Sequence, residues 1–121
     1  MTGSDQLAAV AAGAASAKQA RDVVVLDVRD LIAITDYFVI ASGTSDRQVR
    51  TIAEEIESAL RREGLKPVRR EGMEDARWVL LDFVDLVAHV FQQDDRDYYS
   101  LERLWGDAPR LAWEARAASS G

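Results

Sequence analysis

The chain has 121 residues, with 15 Lys plus Arg against 21 Asp plus Glu and a formal net charge of -6; that length suits one domain with a modest core, and that charge disfavours nucleic acid and favours a basic protein partner. The absence of cysteine excludes a disulfide framework, a thiolate metal site and a thiol nucleophile. No apolar run approaches the roughly 20 residues that span a bilayer, and no basic segment precedes the Ala-rich start as in a secretory signal, so the expectation is a cytoplasmic domain without a membrane anchor.

Residues 1–21 are Ala-rich. Leu7, Val10, Ala11, Ala14, Ala15 and Lys18 fit a helix with a weak apolar stripe, capped by Ser4 or Asp5. Gly13 costs it about 1 kcal/mol relative to Ala, so the helix depends on packing. Val23 to Val28 is a β-branched run of strand length. Leu31 to Thr35 reads as a turn or the start of a strand. Asp36 to Ser42 does not alternate, which predicts a strand buried on both faces and ended by Gly43.

Asp46 to Arg62 carries the clearest helical pattern, with Val49, Ile52, Ala53, Ile56 and Leu60 on one face. Ser45 and Gln48 make a capping-box pair, Arg61 and Arg62 sit at the negative end of the dipole, and Gly64 with Pro67 stops the helix. Val68 to Glu71 reads as a short polar edge strand, and 72–75 as a loop. Trp78 to Asp82 and Leu86 to Phe91 follow. Phe83-Val84-Asp85 is too short for a parallel crossover, so these two strands form an antiparallel hairpin. After a charged break at Asp94 to Asp97, Asp97 caps a short helix through Trp105, stopped by Gly106 and Pro109. Residues 114–121 are small and polar and are expected to fray as a flexible tail beyond a domain of residues 1–113.

These elements predict a single α/β domain with a mixed sheet of five strands and helices mainly on one face. The other face has no evident cover, which hints at a binding surface. Residues 76–109 concentrate two of the three Trp, two of the three Tyr, two of the three Phe and the only His. They build a core, a binding face, or both.

Catalytic patterns are weak. His89 lies mid-strand with no base-orienter pair, so a structural or interface role is expected. One histidine excludes a His-based metal cluster. Asp82 and Asp85 flank a turn, where Asp serves the backbone, rather than forming an acid/base or Mg site. Asp94, Asp95 and Asp97 read as a solvated loop. Gly43-Thr44-Ser45 opens a helix in a geometry that can bind phosphate, but no P-loop Lys follows. A nucleotidyltransferase would place paired carboxylates on the strand after that helix; Val68-Arg69-Arg70-Glu71 lacks the pair.

Alternation puts Trp78, Leu80 and Asp82 on one face of their strand and Val79 and Leu81 on the other. Val87, His89 and Phe91 oppose Leu86, Ala88 and Val90 in the same way. Exposed aromatic and aliphatic area on this scale marks interaction sites.

The blocks Thr35-Asp36-Tyr37-Phe38-Val39-Ile40-Ala41-Ser42-Gly43, Trp78-Val79-Leu80-Leu81-Asp82-Phe83, His89-Val90-Phe91 and Tyr99 through Leu101-Glu102-Arg103-Leu104-Trp105 resemble the ribosomal silencing factor family, RsfS or Iojap. The match runs from about Ala12 to Pro109, with four blocks in order. The resemblance implies a fold related to nucleotidyltransferases without their catalytic carboxylates, and no enzymatic activity, cofactor or metal. It implies binding to the fourteenth protein of the large ribosomal subunit, on the face that joins the small subunit. Occupying that face would block subunit joining when nutrients are short. A role in large-subunit assembly and a homodimer off the ribosome are also implied, with little direct nucleic-acid contact. One departure is visible: the family usually has Gly where this chain has Val84, and Val resists a turn of positive φ.

The expected partner surface is Trp78, Leu80, Leu81, Asp82, His89, Phe91, Tyr98, Tyr99 and Trp105, with Asp82, Asp85 and Glu102 placed to pair with basic groups. The rival readings are a nucleotidyltransferase-like enzyme and a generic dimerisation or assembly module.

Overall fold

The structure is a computed structural model that describes residues 3–95 and 106–119. Among the described residues the elements run in the order α1 (Ser4–Ala17), β1 (Arg21–Asp27), β2 (Tyr37–Gly43), α2 (Asp46–Arg62), β3 (Arg69–Glu71), β4 (Trp78–Asp82), β5 (Leu86–Gln92) and α3 (Trp113–Ser119). The strands form one five-stranded sheet in the order β1-β2-β5-β4-β3. All pairs are antiparallel except β2 with β5. This is the mixed α/β sheet that the sequence predicts.

The two central strands explain their own composition. Every residue of β2 is buried, because β1 and β5 flank it and both of its faces are covered; a non-alternating apolar run is the signature of that position. Its register with β5 sets Ile40 beside His89 and Ser42 beside Phe91. β3 is the three-residue edge, all of it exposed and charged, which is how sheets blunt an open edge. At the other edge Arg110 bridges Leu26, Asp27 N–H donates to Pro109 O at 2.8 Å and Leu111 N–H to Val25 O at 2.9 Å.

α2 spans the residues that its periodicity predicts and buries Val49, Ile52, Ala53, Ile56, Ala59 and Leu60. Each large aliphatic side chain so buried contributes about 1.5–3 kcal/mol. Ser45 Oγ accepts from Gln48 N–H at 3.1 Å. The reciprocal arm differs from a standard capping box: Gln48 Oε1 accepts from Thr44 N–H at 2.7 Å, and its amide donates to Gln19 O at 3.2 Å, tying the start of α2 to the end of α1. Gly64 at φ +85° ends α2, with Leu65 N–H donating to Leu60 O at 2.9 Å, a Schellman closure.

Two expectations about the helices need correction. The N-cap of α1 is Gly3, with no side-chain cap bond; Ser4 Oγ instead donates to Asp36 Oδ2 at 3.0 Å, so it fastens the helix to the chain entering β2. Of the segment from 114 that is expected to fray, the described residues through Ser119 lie in α3, which packs against α1. Arg116 pairs with Asp5 at 2.6 Å and Trp113 Nε1–H donates to Val23 O at 3.2 Å. A small polar composition does not fray a segment whose first residue is an anchored Trp.

The inner face of the sheet packs on α1 and α2, around Val39, Ala41, Val79, Leu81, Leu86, Ala88 and Val90. The outer face is not bare as expected. It holds its own buried cluster of Leu26, Val28, Phe38, Ile40, Phe91 and Ala108. The helix predicted from Asp97 to Trp105 lies outside the described residues. Among the described residues no helix is long and apolar enough to cross a membrane.

Candidate functional site

The outer face is assembled by cross-strand register. Trp78 lies opposite Phe91, Leu80 opposite His89 and Asp82 opposite Val87, so alternate residues of β4 and β5 form one aromatic and aliphatic strip. Trp78 stacks on Phe91 with ring centroids 5.0 Å apart. His89 meets the Phe38 ring edge-on at 4.9 Å, and it accepts at Nδ1 from Trp78 Nε1–H at 3.0 Å. With Nδ1 an acceptor, a neutral imidazole carries its proton on Nε2. His89 is 6 % exposed, and burial lowers its pKa from 6.5 to about 4, so the imidazole is uncharged at neutral pH. It acts as a polar prop beneath the indole, consistent with the structural reading of a lone histidine.

Burial divides the expected contact residues. Trp78, Leu80 and Asp82 are half-buried and reach the outer surface. Phe91 is 0 % exposed; with His89 it supports the strip from below. Leu81 is corrected: it is 0 % exposed within the inner core, because β alternation turns it toward the helices. Tyr98, Tyr99 and Trp105 lie outside the described residues, as does Glu102.

A recess of about 330 Å³ lies beside this strip, lined by Glu71, Gly72, Trp78 and Leu80. Gly72 makes it possible. Its φ is +86°, and a Cβ there would stand 2.1 Å from Trp78 O, so only glycine lets this backbone lie against β4. Glu71 and Gly72 were absent from the expected site; a glycine just after a polar edge strand was the available signal.

The Asp82 carboxylate serves the turn and the neighbouring strand, and Asp85 acts through its backbone carbonyl. Asp82 Oδ1 accepts from Val84 N–H at 2.9 Å, and Arg69 lies 3.9 Å from Asp82. Asp85 O accepts from Asp36 N–H at 3.0 Å, which locks the hairpin to the start of β2. Val84 takes the strained conformation that its side chain resists, φ +75°, the first central position of a two-residue hairpin turn, usually given to glycine. At the start of α2, Gln48 Oε1 accepts from the Thr44 amide and Ser45 Oγ from the Gln48 amide, so the helix start is capped by its own side chains. Among the described residues no group of three or more His, Cys, Asp or Glu is placed to hold a metal.

Comparisons with known proteins agree with this architecture. The family model described as "Ribosomal silencing factor during starvation" matches residues 2–120. The chain is 47 % identical over 100 residues to a Bacillus subtilis protein named ribosomal silencing factor RsfS, covering 83 % of this chain and 85 % of that protein. It is 33 % identical over 91 residues to a Mus musculus protein named "Mitochondrial assembly of ribosomal large subunit protein 1", covering 73 % of this chain and 40 % of that one. A crystal structure of a Chromobacterium violaceum protein superposes with a TM-score of 0.84 at 33 % identity, covering 87 % of this chain and 88 % of its own.

Proposed function

The chain belongs to the ribosomal silencing factor family, and on that premise we propose that it represses translation by binding the fourteenth protein of the large ribosomal subunit in the cytoplasm. Bound there, it would exclude the small subunit by bulk, mainly when nutrients are limiting. The observation that carries the reading is the half-exposed strip of Trp78, Leu80 and Asp82, held by a rigid sheet and propped by His89. Rigid aromatic anchors on a preorganised surface are what binding hot spots use. Asp82 adds an acidic group for a basic ribosomal protein. Exposed pairs contribute only about 0–1 kcal/mol each, so the apolar strip carries the affinity. The reading is one of binding, with no catalytic step. Free of the ribosome, the chain would pair with a second copy.

Co-sedimentation with purified bacterial large subunits tests the contact, and light scattering of subunits with and without the protein tests the block. Subunits that join equally fast in the presence of saturating protein would sink the repressor reading. The mouse relative's name, which refers to assembly of the large subunit, supports a second reading: the same contact made on a maturing particle. Binding to precursor particles in preference to mature subunits would favour it.

A further inference from the structure

Four large apolar side chains are well exposed among the described residues: Ile34 at 82 %, Val68 at 68 %, Val84 at 53 % and Leu31 at 42 %. Isolated exposed aliphatics are ordinary on a protein surface. Here all four lie at one end of the sheet. Leu31 and Ile34 stand in the loop from β1 to β2, and Val84 stands at the tip of the β4–β5 turn. Val68 immediately precedes β3, with its N–H donating to Asp82 O at 2.8 Å. The parallel alignment of β2 with β5, Tyr37 beside Leu86, brings the two loops together, and Asp85 O joins them by accepting from Asp36 N–H.

The backbone makes the same point independently. Val84 is held at φ +75°, where a β-branched residue is strained and glycine is not. The turn therefore holds an exposed β-branched side chain in a conformation that disfavours it. Asp30 and Asp85 are exposed beside these residues. Of the cations at this end, Arg29 is held by Asp27 at 2.6 Å and Arg69 by Glu71 at 3.0 Å, while Lys66 is exposed.

We infer that this sheet end, an apolar rim of Leu31, Ile34, Val68 and Val84 bordered by Asp30 and Asp85, is a second docking surface and that its occupant is a basic protein of the large subunit. The inference rests on the ribosome-binding reading and extends it to residues on no part of the aromatic strip. The acidic border selects against a phosphate backbone. It also selects against a second copy, since docking like rims would bring two acidic borders together.

The test uses the full chain and purified bacterial large subunits, comparing wild type, Ile34→Ser, Val84→Gly and Leu80→Ser by co-sedimentation, with melting temperature for each. Ile34→Ser is expected to weaken binding by about tenfold, the loss of one apolar anchor, with an unchanged melting temperature. Val84→Gly is expected to weaken binding while raising the melting temperature, a combination that damage to the fold cannot produce. If Leu80→Ser weakens binding and both rim variants bind as wild type, the rim is no contact and this inference falls alone. If wild type itself does not sediment with subunits, the ribosome-binding reading falls and takes the rim's assignment with it. If Ile34→Ser instead converts a dimer to a monomer by light scattering, the rim belongs to a second copy and the assignment is overturned.

Discussion

The Trp78 indole N–H donates to His89 Nδ1, so the surface aromatic and the buried imidazole form one unit that spans β4 and β5. The bond exists only while His89 keeps Nδ1 free of a proton. Burial secures that by lowering the pKa to about 4. The folded state therefore refuses a proton that the unfolded chain accepts near pH 6.5. Stability from this group is complete above pH 6.5 and is lost as pH falls toward 4, by on the order of 3 kcal/mol. Urea unfolding of wild type and His89→Leu at pH 7 and pH 4.5 checks this. The drop between the two pH values should be smaller in the variant; an equal drop would mean that His89 titrates normally in the fold.

Leu80 and Leu81 are neighbours in sequence with opposite duties. Leu81→Ala should cost about 2–5 kcal/mol, as a core truncation does, and its binding should be unchanged wherever the protein remains folded. Leu80→Ser and Trp78→Ala should retain the wild-type circular dichroism spectrum and lose co-sedimentation with large subunits. A Trp78→Ala protein that unfolds would return this residue to the core and remove it from the surface.

The turn at Val84 stores strain that glycine would release. Val84→Gly should stabilise the protein by about 1 kcal/mol, read as a raised midpoint in urea. No change in midpoint would show that the turn relaxes without cost.

Gly72 offers the opposite case. Its Cβ would collide with Trp78 O at 2.1 Å, and its φ is +86°. Gly72→Ala should destabilise by about 2 kcal/mol or more and displace β3 from β4, seen as faster amide exchange at Glu71 and Leu80. Exchange at the wild-type rate would overturn the close-approach argument.

The C-terminal helix is expected to stabilise the domain. Removing residues 113–121 deletes the Trp113 bond to Val23 O and the Arg116 pair with Asp5. The melting midpoint should fall by about 2 kcal/mol in equivalent free energy, mainly through lost Trp packing. An unchanged midpoint would return this segment to the frayed tail that its composition suggests.

What was legible in the chain follows from how local the signal is. The face of α2 is written every three to four residues, and the β4–β5 hairpin in the length of its connection, so both are readable without tertiary knowledge. The pairing of β2 with β5 is not, because a run buried on both faces is silent about its partners. Trp78-Val79-Leu80-Leu81 shows alternation but does not show which side the helices take, so Leu81 entered the expected surface with Leu80. The cluster around Phe38, Phe91 and Ala108 joins distant segments, and nothing in a single window announces it. The recess beside Trp78 depends on one glycine, whose meaning emerges only when β4 is seen passing beneath it.

The parallel partnership of β2 and β5 also orders events in time. Tyr37 must wait for Leu86, with α2, β3 and the hairpin threaded between them, so a large loop closes before the middle of the sheet exists. The hairpin needs only its own two-residue turn. Refolding should therefore protect β4–β5 amides first and those of β2 last, and pulsed hydrogen exchange showing the reverse order would contradict this sequence of assembly. The sheet's most deeply buried strand would be its slowest to find its place.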